Sequence, residues 1–157
     1  MKQRFTSRQT SINSRKAPAI YSMPKAVDVM TGKTVVDIGG GRFDTAQEAA
    51  RVYGATVSIY DPFNRTPEHN AAVLAGSYDV AVISNVLNVI DSEAARGEVV
   101  QLAAQKAAAL LITVYEGDGS GTDRQPPTVG KKTGAPLIIW TKSPPLSRAG
   151  WWFVPAG

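Results

Sequence analysis

The stretch Thr34-Val-Val-Asp-Ile-Gly-Gly-Gly-Arg-Phe-Asp44 constrains this chain more than any other. A β-branched apolar run ends in an acid, then in three glycines, then in residues suited to begin a helix. It reads as a strand bending sharply into a helix, with bare backbone at the bend. Glycine takes up positive φ at little cost, and having no Cβ it lets a ligand approach the main chain. The helix start that follows carries N–H groups with no partner inside the helix. A nucleotide-like ligand suits such a bend.

The chain has 157 residues, the size of one domain with a sizeable core. No apolar run reaches the ~18 residues of a membrane-spanning helix. The start of the chain lacks an apolar leader core, so the expected location is cytoplasmic. That start is rich in Arg, Ser and Thr, which also resembles an organellar transit peptide, but Phe5 and Ile12 alone make a weak amphipathic face. There is no cysteine, which excludes disulfides, thiolate metal sites and a cysteine nucleophile. His69 is the only histidine, so a multi-histidine metal site is excluded and no metal is expected. It lies in Thr-Pro-Glu-His, the first turn of a predicted helix, and reads as a surface side chain.

Charge is distributed unevenly. Residues 1–16 hold Lys2, Arg4, Arg8, Arg15 and Lys16 and no acid. Residues 124–157 hold Arg124, Lys131, Lys132, Lys142 and Arg148 and no acid, whereas all 13 acids lie between. An acidic body with basic ends suits a polyanion such as nucleic acid; the alternative is a pair of solvated tails.

Residues 1–18 read as a disordered basic arm, and 19–157 as one α/β domain. The pattern predicts a short helix at 24–31, a strand at 34–38 and a helix from Asp44 or Thr45 with Thr45-Ala-Gln-Glu48 as a capping box. A strand at 55–60 follows, then a helix capped by Thr66 with Pro67 at its first position, ended by Gly76. Next come a strand at 78–84, a helix over about 92–108 and a strand at 110–114. Residues 136–140 and 151–154 have strand character. The β-α-β-α-β-α-β alternation gives an α/β architecture with a mostly parallel sheet.

A Walker loop requires a lysine after its glycines, and none is present. A dinucleotide bend requires Gly-x-Gly-x-x-Gly, but the third position here is Asp44, whose carboxylate repels a pyrophosphate. Asp61, 22 residues after Gly39 at the tip of the second strand, is placed to accept from ribose hydroxyls. Asp37 and Asp44 tolerate a cationic group. A ribose, a cation and no phosphate describe S-adenosylmethionine (SAM), whose carboxylate the N–H groups of the bend are expected to hold.

Val-Val-Asp-Ile-Gly-Gly-Gly, Ser-Ile-Tyr-Asp61 and Tyr78-Asp-Val-Ala-Val-Ile-Ser-Asn-Val-Leu-Asn-Val-Ile90 resemble, in order, the first motif, the ribose-binding motif and the fourth strand of class I SAM-dependent methyltransferases. The phrase Asn85-Val-Leu-Asn-Val-Ile, followed by Asp91 and Arg96, is most similar to methyltransferases associated with DNA phosphorothioation and to related phage proteins. The resemblance covers roughly residues 34–118. It implies a Rossmann-like sheet with helices on both faces. It also implies donor contacts from Asp37, Gly39, Gly40, Gly41 and Asp61, with Ser84 and Asn85 near the methionine part; in place of the family's adenine-holding strand, Phe63 and Asn64 are expected to serve the adenine. The acceptor is expected beyond the fourth and fifth strands, near Asn88, Tyr115 and Glu116.

Two departures stand out. The family's strand between the second motif and the fourth strand has no room in residues 62–77. The region after 124 matches the family's closing antiparallel hairpin poorly. A reduced sheet with open edges suggests a homo-oligomer. The Pro-Pro-aromatic motif of base-amino methylation is missing, as is the cysteine of cytosine C5 methylation. The reading is therefore a small SAM-dependent methyltransferase with an unidentified acceptor and no assigned catalytic residue. The alternatives are a non-catalytic nucleic-acid-binding or regulatory module on the same fold, and an enzyme that consumes SAM without methylating a macromolecule. Each motif also has a purely structural reading: a tight turn for the glycines, a turn and cap for Asp61-Pro62, loop amides for Asn85 and Asn88, and a core strand for Trp151–Val154.

Overall fold

The computed structural model describes residues 15–84, 86, 87, 90, 92–113, 137–142 and 151–155; in the last two segments only Ile139 is described beyond its backbone. The elements are a 3-10 turn at Ala19–Ser22, then α1 (Pro24–Met30), β1 (Thr34–Ile38), α2 (Thr45–Arg51), β2 (Thr56–Tyr60), α3 (Pro67–Ala75), β3 (Tyr78–Ser84), α4 (Glu93–Lys106), β4 (Ala107–Thr113), β5 (Leu137–Lys142) and β6 (Trp151–Pro155). They form one sheet of order β2-β1-β3-β4-β5-β6. The first four strands in that order pair in parallel, and β5 and β6 add antiparallel to the β4 edge. This is a Rossmann-like α/β fold. This corrects one expectation: the closing antiparallel hairpin, which the region after 124 was expected to match poorly, is present as β5 and β6.

Alternation along the parallel strands builds two apolar layers. Val35, Val57, Ile59, Val80, Val82 and Leu111 face the 3-10 turn, α1 and α2, packing on Ile20, Met30, Ala46 and Ala50. Val36, Ile38, Ala81, Ile83, Leu110 and Ile112 face α3 and α4, packing on Val73, Val99 and Ala103. Burial on both faces is why β1, β3 and β4 read as nearly unbroken apolar runs.

Among the described residues no strand lies beyond β2, and residues 62–77 supply none, as that short interval predicts. The Tyr60 carbonyl faces β1, where it accepts from the Gly39 N–H, so by the strand's two-residue period Val57 and Ile59 present their carbonyls outward. Both are covered. The Gln47 Nε2 of α2 donates to the Val57 carbonyl at 2.9 Å. His69 Nε2 of α3 lies 2.6 Å from the Ile59 carbonyl. Because a carbonyl only accepts, the proton of that contact sits on Nε2. His69 is therefore half-buried and structural, covering the edge that the missing strand leaves.

Two local expectations are corrected. Asp44, not Thr45, is the N-cap of α2, and its side chain makes no cap bond because it pairs with Arg65. Ala107 and Ala108, predicted to end α4, already belong to β4; pairing of β4 with β3 outweighs alanine's helix propensity.

Candidate functional site

The chain runs from β1 to β2 on one side, then crosses back over β1 to β3 on the other. Strand order thus reverses between β1 and β3, and ligands of open α/β sheets bind at the C-terminal ends of the strands around such a reversal. At that edge lie Gly39–Gly41 after β1, Asp61 after β2, Ser84 and Val86 at and after β3, and Thr113 closing β4. Asn85, Asn88, Tyr115 and Glu116 lie outside the described residues.

The bend after β1 requires glycine for two different reasons. Gly39 has φ of 78°, and a Cβ there would lie 2.6 Å from the Val86 Cγ2. Gly40 needs the space instead: a Cβ would meet Ile59 Cγ2 at 2.8 Å and Asp37 Cγ at 2.9 Å. Gly39→Ala is expected to cost about 2 kcal/mol, from left-handed backbone and from the Val86 contact. Urea unfolding checks this. In a cycle with Val86→Ala the two changes couple by roughly 1 kcal/mol, because the second removes the atoms the first would strike; strict additivity would contradict the contact.

Asp61 is 1% exposed and joins the two loops. Its Oδ2 accepts from the Gly41 N–H at 2.9 Å, and its Oδ1 accepts from the N–H groups of Phe63 at 2.9 Å and Asn64 at 3.1 Å. Asn70 holds the main chain at that point: its Oδ1 accepts from the Asp61 N–H, and its Nδ2 donates to the Asp61 carbonyl. Arg65 closes the clasp from above. Its Nε donates to the Gly41 carbonyl at 2.8 Å, one terminal nitrogen donates to the Phe43 carbonyl at 3.1 Å, and the other pairs with Asp44 at 2.9 Å.

These bonds correct one expectation. The Gly39 and Gly40 N–H groups donate to the Tyr60 carbonyl, and that of Gly41 donates to Asp61. All three are used within the chain, so the glycine bend presents none of them to a ligand carboxylate. The sheet edge and the clasp take them because a half-buried bend cannot leave N–H groups unpaired.

Asp37 points to the opposite face from the α3 and α4 layer, below Gly40. It is 1% exposed, and its Oδ2 accepts from the Tyr21 hydroxyl at 2.5 Å. Burial raises its pKa from 3.8 to about 6, with the Tyr21 bond pulling the other way and the charge of Asp61 adding to the rise. The Tyr21 hydroxyl is in turn held well above its ordinary value by burial, then by Asp37.

Two groups beside Asp61 face outward or lack partners. Phe63 is 54% exposed, and the Nδ2 of Asn64 is buried with no hydrogen-bond partner among the described residues. At the far side of the reversal, the Thr113 hydroxyl lies 3.3 Å from the Ser84 hydroxyl, joining the tips of β4 and β3. The structure thus brings Gly39–Gly41, Asp61 and Phe63 to one edge, with Ser84 on the other side of β1, and places Asp37 beneath.

Arg65, Tyr21 and Val86 were not singled out by the sequence. Arg65 carried a weak signal: it is the base nearest after Asp61, in a loop forced to face the acid-bearing glycine bend. Tyr21 carried none, because it falls in a proline-flanked stretch without periodicity. No protein-family model matches the chain, and no curated protein matches it.

Proposed function

We propose that the chain is a small class I SAM-dependent methyltransferase. The observation that carries this reading is the meeting of Asp61 with the glycine bend, at the carboxyl edge of the sheet where strand order reverses. An acid at the tip of the second strand is the ribose acceptor of nucleoside-binding sheets of this type. The exposed Phe63 ring and the unpaired Asn64 amide donor next to it fit a purine, by stacking and by a hydrogen bond. A perturbed carboxylate directly beneath, at Asp37, adds support, since such groups concentrate at functional sites. The fit is to the nucleoside half of the donor; for the methionine half, Ser84 and Asn85, the latter outside the described residues, remain the assigned neighbours.

SAM would supply an electrophilic methyl group on its sulfonium. The chain's contribution is then to hold donor and acceptor in line and close, which needs no dedicated base for a good nucleophile. Reaching Asp61 requires that hydroxyl donors replace backbone N–H groups on its oxygens.

A second reading is a regulatory or nucleic-acid-binding module that keeps the fold without the chemistry. It is favoured by the Val86 side chain lying against Gly39 and by the occupied N–H groups of the bend.

Calorimetric titration with S-adenosylhomocysteine separates the two. Binding is expected, and Phe63→Ala is expected to weaken it about fivefold or more through lost stacking. That position is exposed, so the variant keeps its fold. Absence of heat at roughly 1 mM ligand, where a free energy of only about −4 kcal/mol is needed for half-saturation, rejects the methyltransferase.

A further inference from the structure

We infer that residues 15–22 form a strap beneath the glycine bend, which opens as a unit, with the sheet intact, when Asp37 loses its proton. The strap goes beyond the methyltransferase reading and stands without it.

The strap meets the bend at two places. At its outer end Arg15 lies over the Phe43 ring, 5.3 Å from the centroid and within cation–π range. At its inner end the Tyr21 hydroxyl donates to Asp37 Oδ2 at 2.5 Å. Asp37 lies directly against the bend, since a Cβ on Gly40 would meet its Cγ at 2.9 Å. Tyr21 is 2% exposed and Asp37 1%, so the side chain that the strap contributes caps the carboxylate in a site closed to water.

The strap belongs to no strand. The Tyr21 N–H donates to the Pro18 carbonyl, and that of Met23, just beyond the strap, donates to the Ile20 carbonyl. Opening it therefore breaks no rung of the sheet. Of residues 15–22 only Ile20 and Tyr21 are buried. The Tyr53 hydroxyl adds one tertiary bond, donating to the Tyr21 carbonyl at 3.1 Å. A segment that buries two side chains and joins no ladder is of the kind that opens locally, below the free energy of global unfolding.

Charge sets when it opens. A carboxylate closed to water is penalised in its charged form, and lifting Tyr21 away restores its hydration. In the closed state burial raises the Asp37 pKa from 3.8 to about 6, by more than the Tyr21 bond lowers it. Because the value is raised, closure is strongest below pH ~4, weakens as pH rises, and reaches its floor above pH ~6. The two values differ by about two powers of ten, so the open fraction rises about a hundredfold from pH 4 to pH 8. The groups facing Asp37 are Tyr21 from the strap, Asp61 after β2 and Arg65 ahead of α3. Tyr21 keeps its proton across this range, because burial and then Asp37 hold it well above its ordinary value, and burial likewise raises Tyr53.

Native-state hydrogen exchange on the full chain, in low urea and corrected for intrinsic rates at each pH, reads the opening at the Tyr21 and Met23 amides. Amides of β1 and β3 serve as the reference, and no ligand is present. The strap amides are expected to be less protected than the reference, with a shallower urea dependence, and to lose about a hundredfold in protection from pH 4 to pH 8. Asp37→Asn keeps an acceptor for the Tyr21 hydroxyl and is expected to give equal strap protection at both pH values. Tyr21→Phe keeps the ring and loses the hydroxyl, and is expected to lower strap protection about tenfold at pH 8. Circular dichroism verifies that each variant folds. Strap amides that match the reference in protection and urea dependence overturn the proposal, as do strap amides unprotected at pH 4. So does strap protection that is equal at pH 4 and pH 8 in wild type, that keeps its pH dependence in Asp37→Asn, or that is unchanged in Tyr21→Phe.

Discussion

Asp61→Ala is expected to cost about 4 kcal/mol of stability, the largest loss from any single substitution at the carboxyl edge of the sheet. The carboxylate accepts three backbone N–H groups from two loops, and it is 1% exposed, so water does not replace it. Each bond to an ionised acceptor contributes about 1.5–3 kcal/mol, partly offset by desolvating the carboxylate. The substitution strands the N–H groups of Gly41, Phe63 and Asn64 and leaves the Arg65 clasp without its floor. Asparagine does not rescue it fully. Its oxygen serves one side, while its NH2 group is then set against the N–H donors of the other. Chemical denaturation gives the number. A loss under about 1 kcal/mol would mean that the clasp is open in solution.

Asp37→Asn is expected to act in the opposite direction and to stabilise the protein at neutral pH. The carboxyl group has a pKa of about 6 in the folded chain against 3.8 ordinarily, chiefly because burial penalises its charge. Folded protein therefore binds the proton more tightly than unfolded protein does. Stability from this group is complete below pH ~4, falls as pH rises, and is lost above pH ~6. At about 1.36 kcal/mol per pKa unit the span is roughly 3 kcal/mol. Asparagine removes the charge and keeps an acceptor for the Tyr21 hydroxyl. The neutral bond is weaker than the one it replaces, which leaves a net gain of about 2 kcal/mol at pH 8 and little change at pH 4. The groups facing Asp37 are Tyr21, Asp61 and Arg65, and all three are retained, so the difference between wild type and variant isolates position 37. Urea titrations of both proteins from pH 4 to pH 8 measure it. Parallel pH profiles would show that Asp37 is solvated and that its bond to Tyr21 is not maintained.

Together the two carboxylates show why the glycine bend is held so firmly. Asp61 secures it from the side through Gly41, and Asp37 supports it from below, against Gly40. One contributes stability and the other reduces it.

The backbone plan was legible in the residues. The apolar runs at 34–38 and 78–84, the Thr66-Pro67 helix start and the Gly76 stop lie where local chemistry puts them, because capping, turn preference and periodicity act over a few residues. The absence of a strand between β2 and β3 followed from chain length alone. Even the strand character of 137–142 and 151–155 was visible, although their order on the sheet was not.

What the tertiary structure decided is which partners the polar groups take. Asp61 was readable as an acid at a strand tip, but not as the acceptor for Gly41, Phe63 and Asn64. Asp37 was readable as an acid before the glycines, but the pleat sends it to the face that Tyr21 covers. Ala107–Ala109 favour helix by propensity, yet pair as strand with residues about 29 positions earlier. Arg65 and Val86 close the bend from loops that no local pattern ties to it. Hydrogen bonds and packing contacts depend on distances between segments remote along the chain, and a sequence pattern records only neighbours; the fold's outline was therefore set by local preferences, and the state of its candidate site by contacts that exist only once the sheet has formed.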